Sequence, residues 1–200
     1  MKKYLFFIII VGIAILLVGK SWFLKIPIKN SDSQGKNIIC FGNSLTAGEG
    51  ADSGLGFPEL LQKEIERPVL NAGQSGETTA EALLRLQKDV LEKEPYLALV
   101  EFGANDFLKN VPKEETIKNL EQIIEKIQDK GARVVLLEVR TGYAKDFKKL
   151  AKKYQLLLIP DLLQGILINP ELKADAVHPN DKGYEVIAKR ILEKIKPYLK

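Results

Sequence analysis

Three features of the sequence predict a three-layer α/β/α domain built on a five-stranded parallel sheet. Short apolar runs alternate with amphipathic helical stretches along residues 37–199. The strand-like runs, such as YLALVEF at 96–102, are apolar without polar alternation, the pattern of strands covered on both faces. The glycine- and asparagine-rich loops follow the carboxyl ends of those runs, where open parallel sheets collect their ligands.

The elements follow in chain order. Met1-Lys2-Lys3 precedes an uncharged run over 4–19, interrupted by Lys20 and followed by Trp22 and Phe23. A run of that length suits a spanning helix, with Lys20 reaching the headgroups and the aromatic side chains at the interface. A cleaved signal peptide is the competing reading, although no A-x-A cut site is present. Residues 1–25 are therefore expected to be an N-terminal hydrophobic helix acting as membrane anchor or signal segment. Residues 26–36, with Pro27, Asn30, Ser31, Asp32, Ser33 and Gly35, read as a polar linker, and 37–200 as the folded domain.

Within that domain 37–42 reads as the first strand, and Pro58 suits the first turn of a helix that starts at Phe57. Residues 69–72 form a short strand and 79–92 a helix, followed by the strand at 96–102. Over 114–130, Ile117, Leu120, Ile123, Ile124 and Ile127 share one helical face. A strand at 133–139, a helix at 143–154, a last strand at 156–159 and a closing helix at 181–199 complete the order. Five strands joined by crossover helices make a doubly wound, flavodoxin-like sheet.

Composition narrows the function. The net charge of +4 arises from Lys2, Lys3, Lys20 and Lys25; removing those four from 30 basic residues leaves 26 against 26 acidic ones. A nucleic-acid-binding domain carries a basic excess, so no nucleic-acid partner is expected. With one cysteine and one histidine the chain has no intramolecular disulfide and no zinc cluster, and Cys40 reads as a small core residue. Neither a metal nor another cofactor is expected, and the domain is expected to be a monomer.

Four loops carry the candidate chemistry: GNSLTAGEG from Gly42, NAGQSGETT from Asn71, FGANDFL from Phe102 and DAVHPN from Asp175. The fold brings all four to one edge of the sheet. Acyl transfer by a serine needs a base in hydrogen-bond reach and a group that fixes the tautomer of that base. His178 is the only histidine, so any such mechanism at Ser44 must use it. Asp175, three residues earlier, can hold Nδ1 of His178; Asp181 is the rival, better placed to start the last helix. The oxyanion requires fixed donors, and the amides of Ser44 and Gly76 with the side chain of Asn105 are the candidates.

These blocks, in order and spacing, resemble the four sequence blocks of the SGNH (GDSL-type) hydrolases. The likeness is greatest to the bacterial thioesterase I/lysophospholipase L1 and arylesterase branch, and it covers residues 37–199. It implies the flavodoxin-like fold and hydrolysis of esters or thioesters through an acyl-serine intermediate. Carried over by position, Ser44 is the nucleophile, Asp175 and His178 complete the triad, and Ser44, Gly76 and Asn105 form the oxyanion hole. Two departures stand out. The family's usual Asp before the serine is Asn43 here, a supporting residue that braces neighbouring loops. After Val139-Arg140 only Thr141-Gly142 precede the next helix, where relatives carry a longer segment that shapes the acyl pocket.

An α/β-hydrolase elbow would need glycine at Thr46, and a P-loop would need GK[ST]; neither is present. The expectation is a membrane-tethered, extracytoplasmic serine esterase acting on acyl esters, thioesters or lipids. The alternative is a catalytically weak relative that binds lipid or glycan at the cell surface, with Asn43 as its mark.

Overall fold

In the computed structural model, which describes residues 28–199, five apolar segments pair in parallel in the order β2-β1-β3-β4-β5. They are β1 (Asn37–Gly42), β2 (Val69–Gly73), β3 (Pro95–Glu101), β4 (Arg133–Leu137) and β5 (Leu157–Ile159). The expected doubly wound, flavodoxin-like sheet is therefore present. The expected N-terminal hydrophobic helix falls outside the described residues. Among the described residues, no helix is long and apolar enough to cross a membrane.

The strand period of two sorts the core into two halves. Ile38, Cys40, Leu97, Leu99, Val135 and Leu137 face one side, against helices α2 (Phe57–Glu64) and α7 (Asp181–Ile195). Ile39, Phe41, Ala98, Val100, Val134 and Leu136 face the other. There they meet α3 (Thr79–Leu86), α5 (Lys113–Asp129) and α6 (Ala144–Tyr154). Cover on both faces is why these strands read as continuous apolar runs. Cys40 is fully buried, the core position expected of it, and burial raises its thiol pKa well above the ordinary value.

Differences from the sequence reading are local. The helix expected over 79–92 is α-helical to Leu86 and then widens into a π-helical turn at Gln87–Leu91, which keeps Val90 in the core. Two short helices stand where loops were expected, α1 (Ser44–Ala47) and α4 (Ala104–Leu108). At four and five residues they are too short to show a helical period in sequence. A hydrogen bond from Leu45 N to Asn43 Oδ1, 3.1 Å long, caps α1.

Residues 28–36 run along the amino edge of the sheet. Ile28 is buried, and Lys29 N donates to Gln155 O at 3.1 Å. Asn30 Nδ2 donates to Gln128 O and Ala132 O, both at 2.8 Å, just before β4. The opposite, carboxyl edge carries the four loops. There the first turn of α1 lies so close to β2 that a Cβ on Gly73 would sit 2.2 Å from Ala47 N.

Candidate active site

Strand order reverses between β1 and β3, and Ser44 and Asn105 follow the carboxyl ends of those neighbours. Such a switch point leaves a crevice for a ligand. Ser44 opens α1, so its hydroxyl stands at the edge of the sheet and not in its core.

The His178 loop is pinned at both sides. Ala174 N donates to His178 O at 3.0 Å, and Asn180 caps α7 by accepting from Gly183 N at 3.1 Å. Asp175 Oδ1 accepts from Val177 N at 2.7 Å and from His178 N at 2.8 Å, closing a tight turn. Its other oxygen, Oδ2, lies 2.8 Å from His178 Nδ1, and His178 Nε2 lies 3.1 Å from Ser44 Oγ. The hydrogen bond with His178, backed by the two amides, holds the Asp175 carboxyl down at about 2. Asp175 is thus an anion at neutral pH, and an anion at Nδ1 selects the tautomer with Nδ1–H and an Nε2 lone pair toward Ser44. The rival acid, Asp181, is the first residue of α7 and accepts from Ser53 N at 3.2 Å, away from the imidazole.

On the other wall, Asn105 Nδ2 donates one hydrogen to Glu77 O at 3.0 Å, which leaves its second hydrogen for an oxyanion. Gly76 adopts φ +74°, a backbone conformation that disfavours a side chain, while the space where its Cβ would stand is empty. Its glycine is therefore required by conformation and not by contact. Ser44, Gly76, Asn105, Asn43 and His178 all line one cleft of about 350 Å³. Apolar side chains, among them Leu108, Val139, Leu163 and Leu167, form the rest of its wall. Val139, Arg140 and Thr141 reach it directly from the short segment before α6. A larger open depression at the amino edge, about 740 Å³, is lined by Lys36, Glu64, Glu66, Arg67 and Lys196 among others and holds no serine or histidine.

Four supporting residues were not singled out from sequence. Arg85 on α3 donates to Ala72 O and Gly42 O at 2.9 and 3.2 Å and pairs with Glu77, tying the ends of β1 and β2 to the Gly76 loop. Asp106 is fully buried and accepts from Thr79 N at 3.0 Å, locking the residue after Asn105 onto the start of α3. Glu49 Oε2 lies 3.2 Å from His178 Nε2, on the side of the ring that faces Ser44. Glu101, at the end of β3, is buried behind Asn43. The sequence signal for Arg85 is a charge within the apolar run LLRL, and that for Glu101 a charge within the apolar strand YLALVEF; Glu49 and Asp106 look like loop acids until the chain folds.

Burial raises the Glu101 carboxyl from 4.5 to about 8. The folded chain thus keeps a proton that the unfolded chain has released, and stability falls as pH rises from 4.5 to about 8. Glu101→Gln is expected to flatten that fall. Urea unfolding of both proteins at pH 5 and pH 8.5 measures it, and parallel changes in the two would refute it.

Fold and site together define a serine hydrolase acting on ester bonds. The chain belongs to the GDSL-like lipase/acylhydrolase family, whose model matches residues 40–186. It is 30% identical over 180 residues to an arylesterase of Vibrio mimicus, covering 82% of this chain and 90% of that one. It is 27% identical over 173 residues to thioesterase 1/protease 1/lysophospholipase L1 of Escherichia coli K12, covering 80% and 83%. Among solved structures, the psychrotrophic esterase EstA from Pseudoalteromonas sp., inhibited by monoethylphosphonate, superposes with a TM-score of 0.75 at 27% identity. That match covers 82% of this chain and 98% of EstA.

Proposed function

We propose that the chain is an extracytoplasmic serine esterase that hydrolyses carboxylic esters or thioesters with short acyl groups. The observation that carries this reading is His178, placed 2.8 Å from Asp175 and 3.1 Å from Ser44 at the floor of an apolar cleft. Ser44 Oγ attacks the acyl carbon while Nε2 of His178 takes its proton, and Asp175 stabilises the imidazolium. The amides of Ser44 and Gly76 and the side chain of Asn105 receive the oxyanion. His178 then protonates the leaving alcohol or thiol and activates the water that releases the acid.

The cleft volume of about 350 Å³ is near the lower end for small-molecule sites, which favours short acyl groups. The arylesterase and thioesterase names of the relatives support the bond type. Losing one oxyanion donor costs roughly 10²–10³ in kcat, so Asn105→Ala should lose that much on an aryl acetate. Near-normal turnover by that variant would remove Asn105 from the hole.

A fluorophosphonate probe tests the whole reading. The wild type should label rapidly and Ser44→Ala should not. A folded wild type that labels no better than Ser44→Ala would favour a surface-binding protein instead.

The apolar run over 4–19 supports a membrane tether, with residues 26–36 as its junction with the domain. The mass of the chain in the membrane fraction tests the tether, and a mature chain starting near residue 20 would overturn it.

A further inference from the structure

Three donors converge on the carboxyl of Glu101, and they belong to the residues on either side of Ser44. Asn43 Nδ2 lies 3.0 Å from Oε1, Asn43 N lies 3.3 Å from Oε2, and Thr46 Oγ1 lies 3.2 Å from Oε2. Asn43, Thr46 and Glu101 are each 1% exposed or less. Asn43 also receives Leu45 N at 3.1 Å, so one linked set of hydrogen bonds runs from β3 into the first turn of α1. None of the hydrogen-bond partners of Glu101 is a cation. Arg85 donates to Gly42 O nearby but is already paired with Glu77 and Asp89. From α7, Tyr184 is the titratable group that feels the Glu101 charge.

A turn only four residues long holds little order of its own. Its geometry comes from outside, and the contacts that supply it end on one buried carboxyl. We propose that Glu101 is a positioning residue for Ser44, its two oxygens clamping residues 43 and 46 so that the hydroxyl between them points at His178. The proposal rests on the serine-esterase reading of the same site.

Chemistry makes the clamp specific. A carboxyl offers acceptors to all three donors. When protonated, with burial holding it near 8, its single hydrogen has only Thr46 Oγ1 to go to, because neither nitrogen of Asn43 accepts. Loss of that proton turns three ordinary hydrogen bonds into stronger charge-assisted ones. Glutamine at 101 keeps the acceptor for Asn43 Nδ2 but turns an NH2 toward Asn43 N, donor against donor. Aspartate at 43 restores an acceptor for that NH2, while the glutamine oxygen turns to the amide of residue 43.

The test uses the full chain as wild type, Glu101→Gln and the double variant N43D/E101Q, with hydrolysis of an aryl acetate followed from pH 6 to 9.5. Misplacing a reacting group by a fraction of an ångström to an ångström costs about tenfold to a hundredfold, so Glu101→Gln should lose about tenfold in kcat with KM little changed. The wild-type kcat should rise through pH 8, and that rise should be missing in Glu101→Gln. The double variant should recover most of the lost kcat.

Equal kcat in wild type and Glu101→Gln across the range would overturn the proposal. A double variant no more active than Glu101→Gln would overturn it too, and if the single variant fails to fold, a double that folds with restored turnover supports the clamp while one that does not overturns it. Wild type with no Ser44-dependent turnover sinks the esterase reading and the clamp together. Ser44-dependent turnover with no recovery in the double sinks the clamp alone.

Discussion

Ser44→Ala is expected to reduce kcat on an activated aryl ester by about 10⁶, the scale seen when a triad nucleophile is removed. The reasoning is geometric. Among the described residues, Ser44 Oγ is the only hydroxyl within hydrogen-bond distance of the His178 ring, at 3.1 Å from Nε2. Thr141, the other hydroxyl lining the cleft, has no hydrogen bond to His178 to activate it. Residual turnover should come from the oxyanion donors and the cleft alone, roughly 10³-fold over water. Stopped assays with purified wild type and variant, at matched protein concentrations, measure the ratio. A loss of less than about a hundredfold would mean that a water-mediated route, not an acyl-serine, carries the reaction.

Asp175→Asn should cost about 10⁴ in kcat while leaving the fold intact. Asparagine can accept the same amides of Val177 and His178 through its oxygen, so the loop keeps its shape. Its NH2 then faces Nδ1 and favours the tautomer with the hydrogen on Nε2, the wrong nitrogen for a base toward Ser44. Labelling by the fluorophosphonate should slow in parallel, and circular dichroism should be unchanged. A small loss would remove Asp175 from the orienting role.

The pH dependence has a defined direction. The His178 hydrogen bond lowers the Asp175 carboxyl from 3.8 to about 2. Whatever that pair contributes to stability is fully present above pH 3.8 and is lost as pH falls through about 2. Because Asp175 is solvent-exposed, that contribution is small. In the proposed mechanism its consequence is larger, since the acid stays ionised at neutral pH.

Much of the fold was legible because burial leaves a signature in residue type. Continuous apolar strands at 37–42 and 96–102 required cover on both faces, and the stripe over 117–127 required a partner sheet. Short helices were not legible. Ser44–Ala47 exists because Asn43 caps it and Glu101 grips it from another strand, and neither contact leaves a period in sequence. Ser44, Gly76, Asn105, Asp175 and His178 could be named as candidates from their four blocks, and the fold brings them to one cleft with Asp175 behind His178. Asp106 looks in sequence like any surface charge, while Arg85 and Glu101 show as charges inside apolar segments, which signals burial but names no role.

Sequence by itself determined the parallel α/β class, the single available base and the choice of serine chemistry, because each follows from residue type and order. Tertiary structure decided between Asp175 and Asp181, because orientation of a ring nitrogen depends on a distance of 2.8 Å that no spacing along the chain encodes. It also decided what Asn43 does. Its amide donates to an acid 58 residues away, so the question of a missing acid at position 43 becomes one of a buried acid at 101.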